Sequence, residues 1–377
     1  MKQKILTFTA DKLKKILCVV GTRPEAIKMA PVILALKEES WADVRVLATA
    51  QHRHMLDQVM VFFGIVPDID LDIMRPNQAL TTLTARLLLD LDDVLQVERP
   101  DAVLIQGDTT TVMAAALACF YHHIPIGHVE AGLRTRDMRN PFPEEANRVI
   151  TGKLAQWHFA PTESSKQNLL QDGVSAASIH VTGNTVIDAL FMAAERKLEI
   201  GVAVDPEKRL VLVTSHRREN FGEPFRNICN ALKVLAEQNP DVQFLYPVHP
   251  NPNVKEVADT ILGDVVNISL CPPLDYACFV AAMQRAYLIL TDSGGVQEEA
   301  PALGKPVLVF REETERPEAL SYGVVKLIGS DSERIIREVQ TLLHDEMAYK
   351  AMVRGVSPYG DGKAAQRIVT ILKAHFA

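Results

Sequence analysis

Ile16-Leu17-Cys18-Val19-Val20-Gly21-Thr22-Arg23-Pro24-Glu25-Ala26-Ile27-Lys28 is the stretch that decides the architecture. An apolar run rich in β-branched residues ends at a glycine. Pro24 then suits the first turn of a helix, where a missing N–H costs nothing. This is the opening of a βα unit. Arg23 and Lys28 set two cations near the helix start, a good setting for phosphate. A plain strand–helix corner with surface charges has the same outline, and Gly21 alone would favour it. The Arg-Pro-Glu run together with Lys28 shifts the reading toward function. The Gly-Lys-Ser/Thr spacing of a Walker loop is absent.

Outward from this unit, strand-like and helix-like segments alternate along the chain, the signature of parallel sheets. Strands are expected at Ile16–Val20, Val44–Ala50, Ala102–Gln106, Ile126–Val129 and Trp157–Ala160, with helices at Met55–Phe63, Leu80–Val97 and Thr111–Tyr121. A second series follows at Leu210–Thr214, Phe244–Val248, Leu288–Thr291 and Val307–Phe310. The charged stretch Asp188–Lys208 reads as a helix-prone crossover, and Gly362–Ala377 as a closing helix. The expected domains are 1–187 and 188–359, with a helix over about 360–377 packing back on the first.

Polar residues cluster just past the carboxyl ends of the strands: Arg23, Asp108, Glu130, His216, His249 and Ser293. In open parallel sheets that edge binds ligands. Two such sheets facing each other would make one cleft.

Composition narrows the class. Of the 377 residues, 47% are hydrophobic and 23% charged, the balance of a folded protein with a large core. The net charge of −7 argues against a general nucleic-acid binder. Five scattered cysteines (Cys18, Cys119, Cys229, Cys271 and Cys278) read as buried free thiols in a reducing cytoplasm. No apolar run reaches membrane-span length, and the lysine-rich start is no convincing signal peptide.

Six further blocks carry candidate chemistry. In Gln106-Gly107-Asp108-Thr109-Thr110-Thr111, Asp108 sits where a strand gives way to a helix, and a helix N-cap explains it equally well. Gly127-His128-Val129-Glu130-Ala131-Gly132-Leu133-Arg134 puts a carboxylate at a strand end, and Pro141-Phe142-Pro143-Glu144-Glu145-Ala146-Asn147-Arg148 opens a helix on two glutamates. First-turn acids are favourable in any helix. Three carboxylates at adjacent sheet edges could also act as acids and bases. Ser215-His216-Arg217-Arg218-Glu219-Asn220 would suit a diphosphate better than a basic surface loop, given the strand before it. Asp292-Ser293-Gly294-Gly295-Val296-Gln297-Glu298-Glu299-Ala300 lets backbone N–H groups approach an anion, and a glutamate one turn on can take two ribose hydroxyls. Thr314-Glu315-Arg316-Pro317-Glu318 offers another cation.

Other features are discounted. Gln51-His52-Arg53-His54 lacks the carboxylate or cysteine partners of a metal site. His122-His123 reads as the cationic end of a helix. No Gly-x-Ser-x-Gly elbow or Cys–His pair stands out.

In order and spacing, Gly21–Pro31, Gly107–Thr111, His128–Arg134, Pro141–Arg148, His216–Glu219, Asp292–Ala300 and Thr314–Ala319 resemble the bacterial non-hydrolysing UDP-N-acetylglucosamine 2-epimerases. The resemblance runs from about Lys15 onward. It implies a GT-B-like fold of two Rossmann-like domains with the site in the cleft between them. It implies reversible exchange of UDP-GlcNAc and UDP-ManNAc without metal or nicotinamide, in a cytoplasmic homodimer serving cell-surface polysaccharide synthesis. By resemblance, Asp108, Glu130, Glu144 and His216 fall on catalytic positions. Arg23, Lys28, Phe279, Ser293, Gly294, Gly295, Glu299 and Arg316 fall on substrate-binding positions.

The chain departs from that pattern in places. Gln106 stands where many relatives have His, Asn140-Pro141-Phe142 replaces Ser-Pro-Trp, and Leu274 sits where a polar residue often meets the uracil. Some members bind a second UDP-GlcNAc as activator through Gln-x-x-Gln and a later Arg. Here Gln51 is kept, while His54 and Asn77 hold the other positions. Alternatives are a hydrolysing epimerase releasing ManNAc and UDP, a GT-B glycosyltransferase, and a nucleotide-sugar sensor. Three carboxylates argue against the sensor.

Overall fold

The computed structural model describes residues 13–49, 53–75, 78–314, 316–353 and 357–376. Gln51, His52, Asn77 and Glu315 lie outside the described residues, as does the side chain of His54. The chain divides into two units, residues 1–189 with 362–377, and residues 190–361.

In the first unit the described strands are β1 (Lys14–Val20), β2 (Ala42–Ala48), β3 (Ile69–Asp70), β4 (Ala102–Gln106), β5 (Ile126–Val129), β6 (Trp157–Ala160) and β7 (Ile179–Val181). They form one sheet in the order β3-β2-β1-β4-β5-β6-β7, paired in parallel throughout. In the second unit β8 (Arg209–Thr214), β9 (Val242–Pro247), β10 (Ile268–Cys271), β11 (Leu288–Thr291), β12 (Val307–Val309) and β13 (Val325–Leu327) make a parallel sheet in the order β10-β9-β8-β11-β12-β13. Counted from its own first strand, each order runs 3-2-1-4-5-6, the doubly wound Rossmann arrangement, with a seventh strand added at the end of the first sheet. The strand order therefore reverses beside β1 and β4 in one unit, and beside β8 and β11 in the other.

Helices cover the sheets because their apolar residues recur on one face. The helix Leu80–Glu98 buries Leu83, Leu87, Leu91 and Leu95, a strict four-residue spacing. These pack with Leu17, Val19, Val103 and Ile105 of the sheet and with Val112, Ala115 and Cys119 of the helix Thr110–Tyr121. Each buried leucine contributes about 2–3 kcal/mol. In the second unit Phe225, Ile228, Leu232 and Leu235 of the helix Glu223–Gln238 meet Val211, Val213, Phe244 and Tyr246.

The expected crossover Asp188–Lys208 is only partly helical. The helix Thr185–Ala194 ends early, and the chain reaches β8 without further helix. The final helix, Ala364–Phe376, belongs to the first unit. Asp188 accepts the N–H groups of Ala364 (3.2 Å) and Ala365 (2.8 Å), so one carboxylate caps the returning helix. Phe376 stacks on Trp41 with centroids 6.0 Å apart. Cys18, Cys119 and Cys229 are buried, whereas Cys271 and Cys278 are half-buried, contrary to the expectation that all are interior; all five are free thiols.

Candidate active site

The turn after β1 is fixed by a capping box. Thr22 caps the helix Arg23–Lys37, its hydroxyl accepting from the Glu25 N–H, while Glu25 Oε2 accepts from the N–H groups of Gly21 (2.5 Å) and Thr22 (3.3 Å). A Cβ on Gly21 would lie 2.8 Å from the hydroxyls of Thr49 and Thr111, so only glycine fits the approach. Glu25 is buried, and burial pushes its carboxyl up to about 7 against the hydrogen bonds that favour the charged form. It is therefore a structural acid. Arg23 stands half-buried at the first helical residue.

The three predicted carboxylates all lie in the first unit, in three different environments. Asp108 follows β4. It is not the N-cap; Thr109 caps the next helix through Val112 N–H. Instead Asp108 Oδ2 accepts from Arg148 Nε (2.9 Å) and Nη2 (2.6 Å), and its backbone carbonyl accepts from Asn147 Nδ2 (2.8 Å). Both partners come from the helix Glu144–Leu154. Arg148 Nη1 also reaches Glu145 (3.2 Å), a buried acid that holds the N–H groups of Thr135 and Arg136. Glu145, the second of the paired glutamates, thus shapes the loop.

Glu130 follows β5 and is buried, with a left-handed backbone at φ +64°. Lys28 Nζ donates to both its oxygens at 2.6 and 2.7 Å, and Gln106 and Asn184 donate to one each. Lys28 is thereby engaged with Glu130. Glu144 opens its helix half-buried and makes no side-chain hydrogen bond or ion pair among the described residues. The neighbouring His128 is buried and donates through Nε2 to the Gly107 carbonyl (2.8 Å). Desolvation drives its pKa down to about 3, so it is neutral.

In the second unit the loops after β8 and β11 meet. Asp292 is fully buried, and its Oδ2 accepts from Ser215 Oγ, the N–H groups of His216 and Arg217, and Asn220 Nδ2 at 2.9–3.1 Å. Its Oδ1 lies 3.3 Å from His216 Nδ1. His216 is exposed on its other side and stacks near His249, centroids 5.9 Å apart. Its pKa is lowered, chiefly by desolvation, with Asp292 pulling the other way. Ser293 stands at the N-cap position of the helix Gly294–Ala302 without a side-chain capping bond, and its N–H is taken by Thr291 Oγ1 (2.9 Å).

Two guanidinium groups overhang that helix start. A Cβ on Gly294 would lie 3.6 Å from Arg217 Nη2 and 3.8 Å from Arg316 Nη2. Arg316 is held by the buried Glu298, and its N–H by Thr314. On Gly295 a Cβ would lie 3.7 Å from Glu299 Oε2. Ser293, Gly294, Gly295, Glu299 and Arg316 are therefore together, with a helix N-terminus and two cations suited to an anion. Phe279 is half-buried on the helix Tyr276–Arg285 of the same unit.

Sequence reasoning gave no role to Asn184, Arg148 or Asp292. Arg148 and Asp292 stood within quoted blocks, but their partners lie 40 and up to 77 residues away. Gly183-Asn184-Thr185, a glycine and a cap before an apolar helix, was the available signal for Asn184.

Fold and site define a GT-B-like α/β enzyme, doubly wound in both halves, with its polar machinery at the two switch points. Comparison with known proteins narrows this further. The family model described as UDP-N-acetylglucosamine 2-epimerase matches residues 34–373. The UDP-N-acetylglucosamine 2-epimerase of Escherichia coli K12 is 54% identical over 95% of this chain and 98% of its own. That of Salmonella typhimurium is 55% identical over 96% and 99%. The Neisseria meningitidis UDP-GlcNAc 2-epimerase, crystallised with UDP-GlcNAc, superposes with a TM-score of 0.87 at 48% identity, covering 96% of this chain and all of that one. The chain belongs to the UDP-N-acetylglucosamine 2-epimerase family, and is by that membership an isomerase.

Proposed function

We propose that the chain interconverts UDP-GlcNAc and UDP-ManNAc by eliminating UDP to a 2-acetamidoglucal and adding it back. One observation carries the mechanism: three carboxylates, Asp108, Glu130 and Glu144, cluster at neighbouring strand ends and the adjoining helix of one sheet. The sugar C2 has no adjacent carbonyl, so its proton is not acidic enough for simple exchange. Breaking the C1–O bond sends its electron pair to UDP and leaves an oxocarbenium-like centre that acidifies C2–H. A carboxylate takes that proton and the C1=C2 bond forms. Reprotonation on the other face, with UDP re-adding at C1, gives the epimer with atoms and electrons balanced. Acid and base are needed on both faces of C2, with firm hold on the leaving diphosphate.

Asp108, Glu130 and Glu144 share the proton transfers in this proposal. Their unlike settings support it, because acid and base roles need groups whose environments differ. Arg23 and Lys28 serve the anion in the first unit. In the second, His216, the N–H groups at Gly294 and Gly295, and Arg316 hold the diphosphate, Glu299 takes the ribose and Phe279 lies along the nucleotide.

Incubation with UDP-GlcNAc in D2O, followed by proton NMR, tests this. Deuterium at C2 with UDP-ManNAc is expected. Release of free ManNAc would mean the hydrolysing reaction. An unchanged spectrum from protein that still binds UDP would refute both.

A homodimer in the cytoplasm completes the proposal. Leu89 and Val97 on the helix Leu80–Glu98 and Phe120 and Tyr121 on its neighbour are each more than half exposed, an apolar surface suited to a second copy. Five free thiols fit a reducing compartment, and no described helix is long and apolar enough to cross a membrane. Light scattering should give twice the chain mass, and a double charge insertion, Leu89→Glu with Val97→Glu, should halve it.

A further inference from the structure

We infer that Gln106 and Asn184 are positioning residues for Glu130, with Asn184 fixing the direction of its carboxylate and Gln106 adapting to its protonation state. The inference rests on the reading above that Glu130 handles a proton.

Glu130 is held by three elements at once. Lys28 reaches it from the helix Arg23–Lys37, Gln106 from the last position of β4, and Asn184 from the turn between β7 and the helix Thr185–Ala194. Both amide residues are buried. Oε1 receives Lys28 Nζ and Asn184 Nδ2 (3.2 Å); Oε2 receives Lys28 Nζ and Gln106 Nε2. Each oxygen therefore has at least one ammonium and one amide donor, four contacts on a group with roughly four lone-pair positions. Such saturation explains how a non-glycine residue keeps a left-handed backbone here, since strained conformations persist where the surroundings over-determine them.

The two amides are not equivalent. Asn184 Oδ1 accepts the Val186 N–H at 3.1 Å, so its amide cannot turn without uncapping the helix, and Nδ2 must face Glu130. Gln106 Oε1 takes no hydrogen bond among the described residues. An amide offers a donor on one side and an acceptor on the other. When Glu130 gains a proton, Gln106 can rotate about its last bond and accept from the new O–H. Lys28, a donor only, cannot. A neutral partner thus serves both states of the acid without adding charge.

Lys28 and His128 are titratable side chains that face Glu130. His128, held neutral by burial with a pKa near 3, does not change charge where the enzyme works. Replacing Gln106 by Leu removes a donor to the charged carboxylate, so Glu130 should hold its proton to higher pH. In Gln106→Leu, kcat for epimerisation should fall about ten- to a hundredfold, KM should stay within about threefold, and the acidic limb of the kcat profile should move to higher pH. Gln106→His, which restores a neutral N–H, should recover part of the rate. Carbon-13 NMR of glutamate-labelled protein titrates the Glu130 carboxyl directly, independently of turnover. A Glu130 titration unmoved in Gln106→Leu overturns the inference, as does wild-type kcat with an unmoved limb. Failure of the wild-type enzyme to exchange deuterium at C2, with the titration still displaced, overturns the proposed reaction and leaves the positioning role standing.

Discussion

The buried carboxylate of Asp292 accepts the His216 backbone N–H at 2.9 Å with one oxygen, and its other oxygen lies 3.3 Å from the His216 Nδ1. A carboxylate in that place favours a proton on Nδ1 and turns Nε2 outward. In Asp292→Asn the amide oxygen can keep the loop's donors while its NH2 faces the ring. The ring proton should then shift to Nε2. Nitrogen-15 NMR should show the tautomer change, the His216 titration should move further down, and turnover should fall about ten- to a hundredfold. An unchanged tautomer with full activity would remove Asp292 from this role.

Arg148 ties Asp108 to Glu145. A lysine cannot reproduce that fork. Arg148→Lys should lower kcat by one to two orders of magnitude, on the order of 1.4–3 kcal/mol in the barrier. Calorimetric UDP affinity should change little, because none of these groups is among those proposed to hold UDP. A large loss of UDP binding with normal turnover of bound substrate would contradict the assignment.

Glu25 gives the fold a pH signature. Its carboxyl is raised from an ordinary 4.5 to about 7, so the folded chain holds the proton more tightly than the unfolded one. The contribution is complete below about 4.5 and is lost as pH climbs through 7, on the order of 3 kcal/mol in all. Glu25→Gln keeps an acceptor for the Gly21 and Thr22 amides without the titration. Its Tm should vary less than that of the parent between pH 5 and 8, and should be the higher of the two at pH 8. Parallel curves would show that Glu25 does not titrate in this range.

Two glycines separate strain from crowding. Gly107 (φ +86°) and Gly132 (φ +95°) both have left-handed backbones, but a Cβ on Gly107 meets nothing within 4 Å, while one on Gly132 would sit 2.3 Å from the Ser165 carbonyl oxygen. Gly107→Ala should cost about 1–2 kcal/mol. Gly132→Ala should exceed it by at least ~2 kcal/mol, since backbone must move. Denaturant titration compares them directly, and equal losses would refute the crowding argument.

The strands legible in the sequence are the central ones. Ala102–Gln106, Ile126–Val129, Trp157–Ala160 and Leu288–Thr291 match to the residue, and all are buried throughout. The four that were not expected, β3, β7, β10 and β13, are the four sheet edges. Each is only two to four residues long and only partly buried, so it lacks the continuous apolar run that marks a strand covered on both faces. The site divides in a similar way. Glycine turns and strand-end polar residues announce themselves locally. The contacts of Arg148, Asn184 and Asp292 exist only once remote strands pair, and a capping reading of Asp108 yielded to Thr109 because one residue decides which side chain faces the helix start.

The docking of Ala364 and Ala365 onto Asp188 has a consequence for biosynthesis. The chain leaves the first unit at residue 189 and re-enters it at 362, so the second unit is, topologically, an insertion. Translation proceeds from the N-terminus. Every residue of the insertion has therefore emerged while the unit begun first still lacks Ile368 and Leu372, which lie buried in the finished molecule. The half that starts first on the ribosome is the half that is completed last.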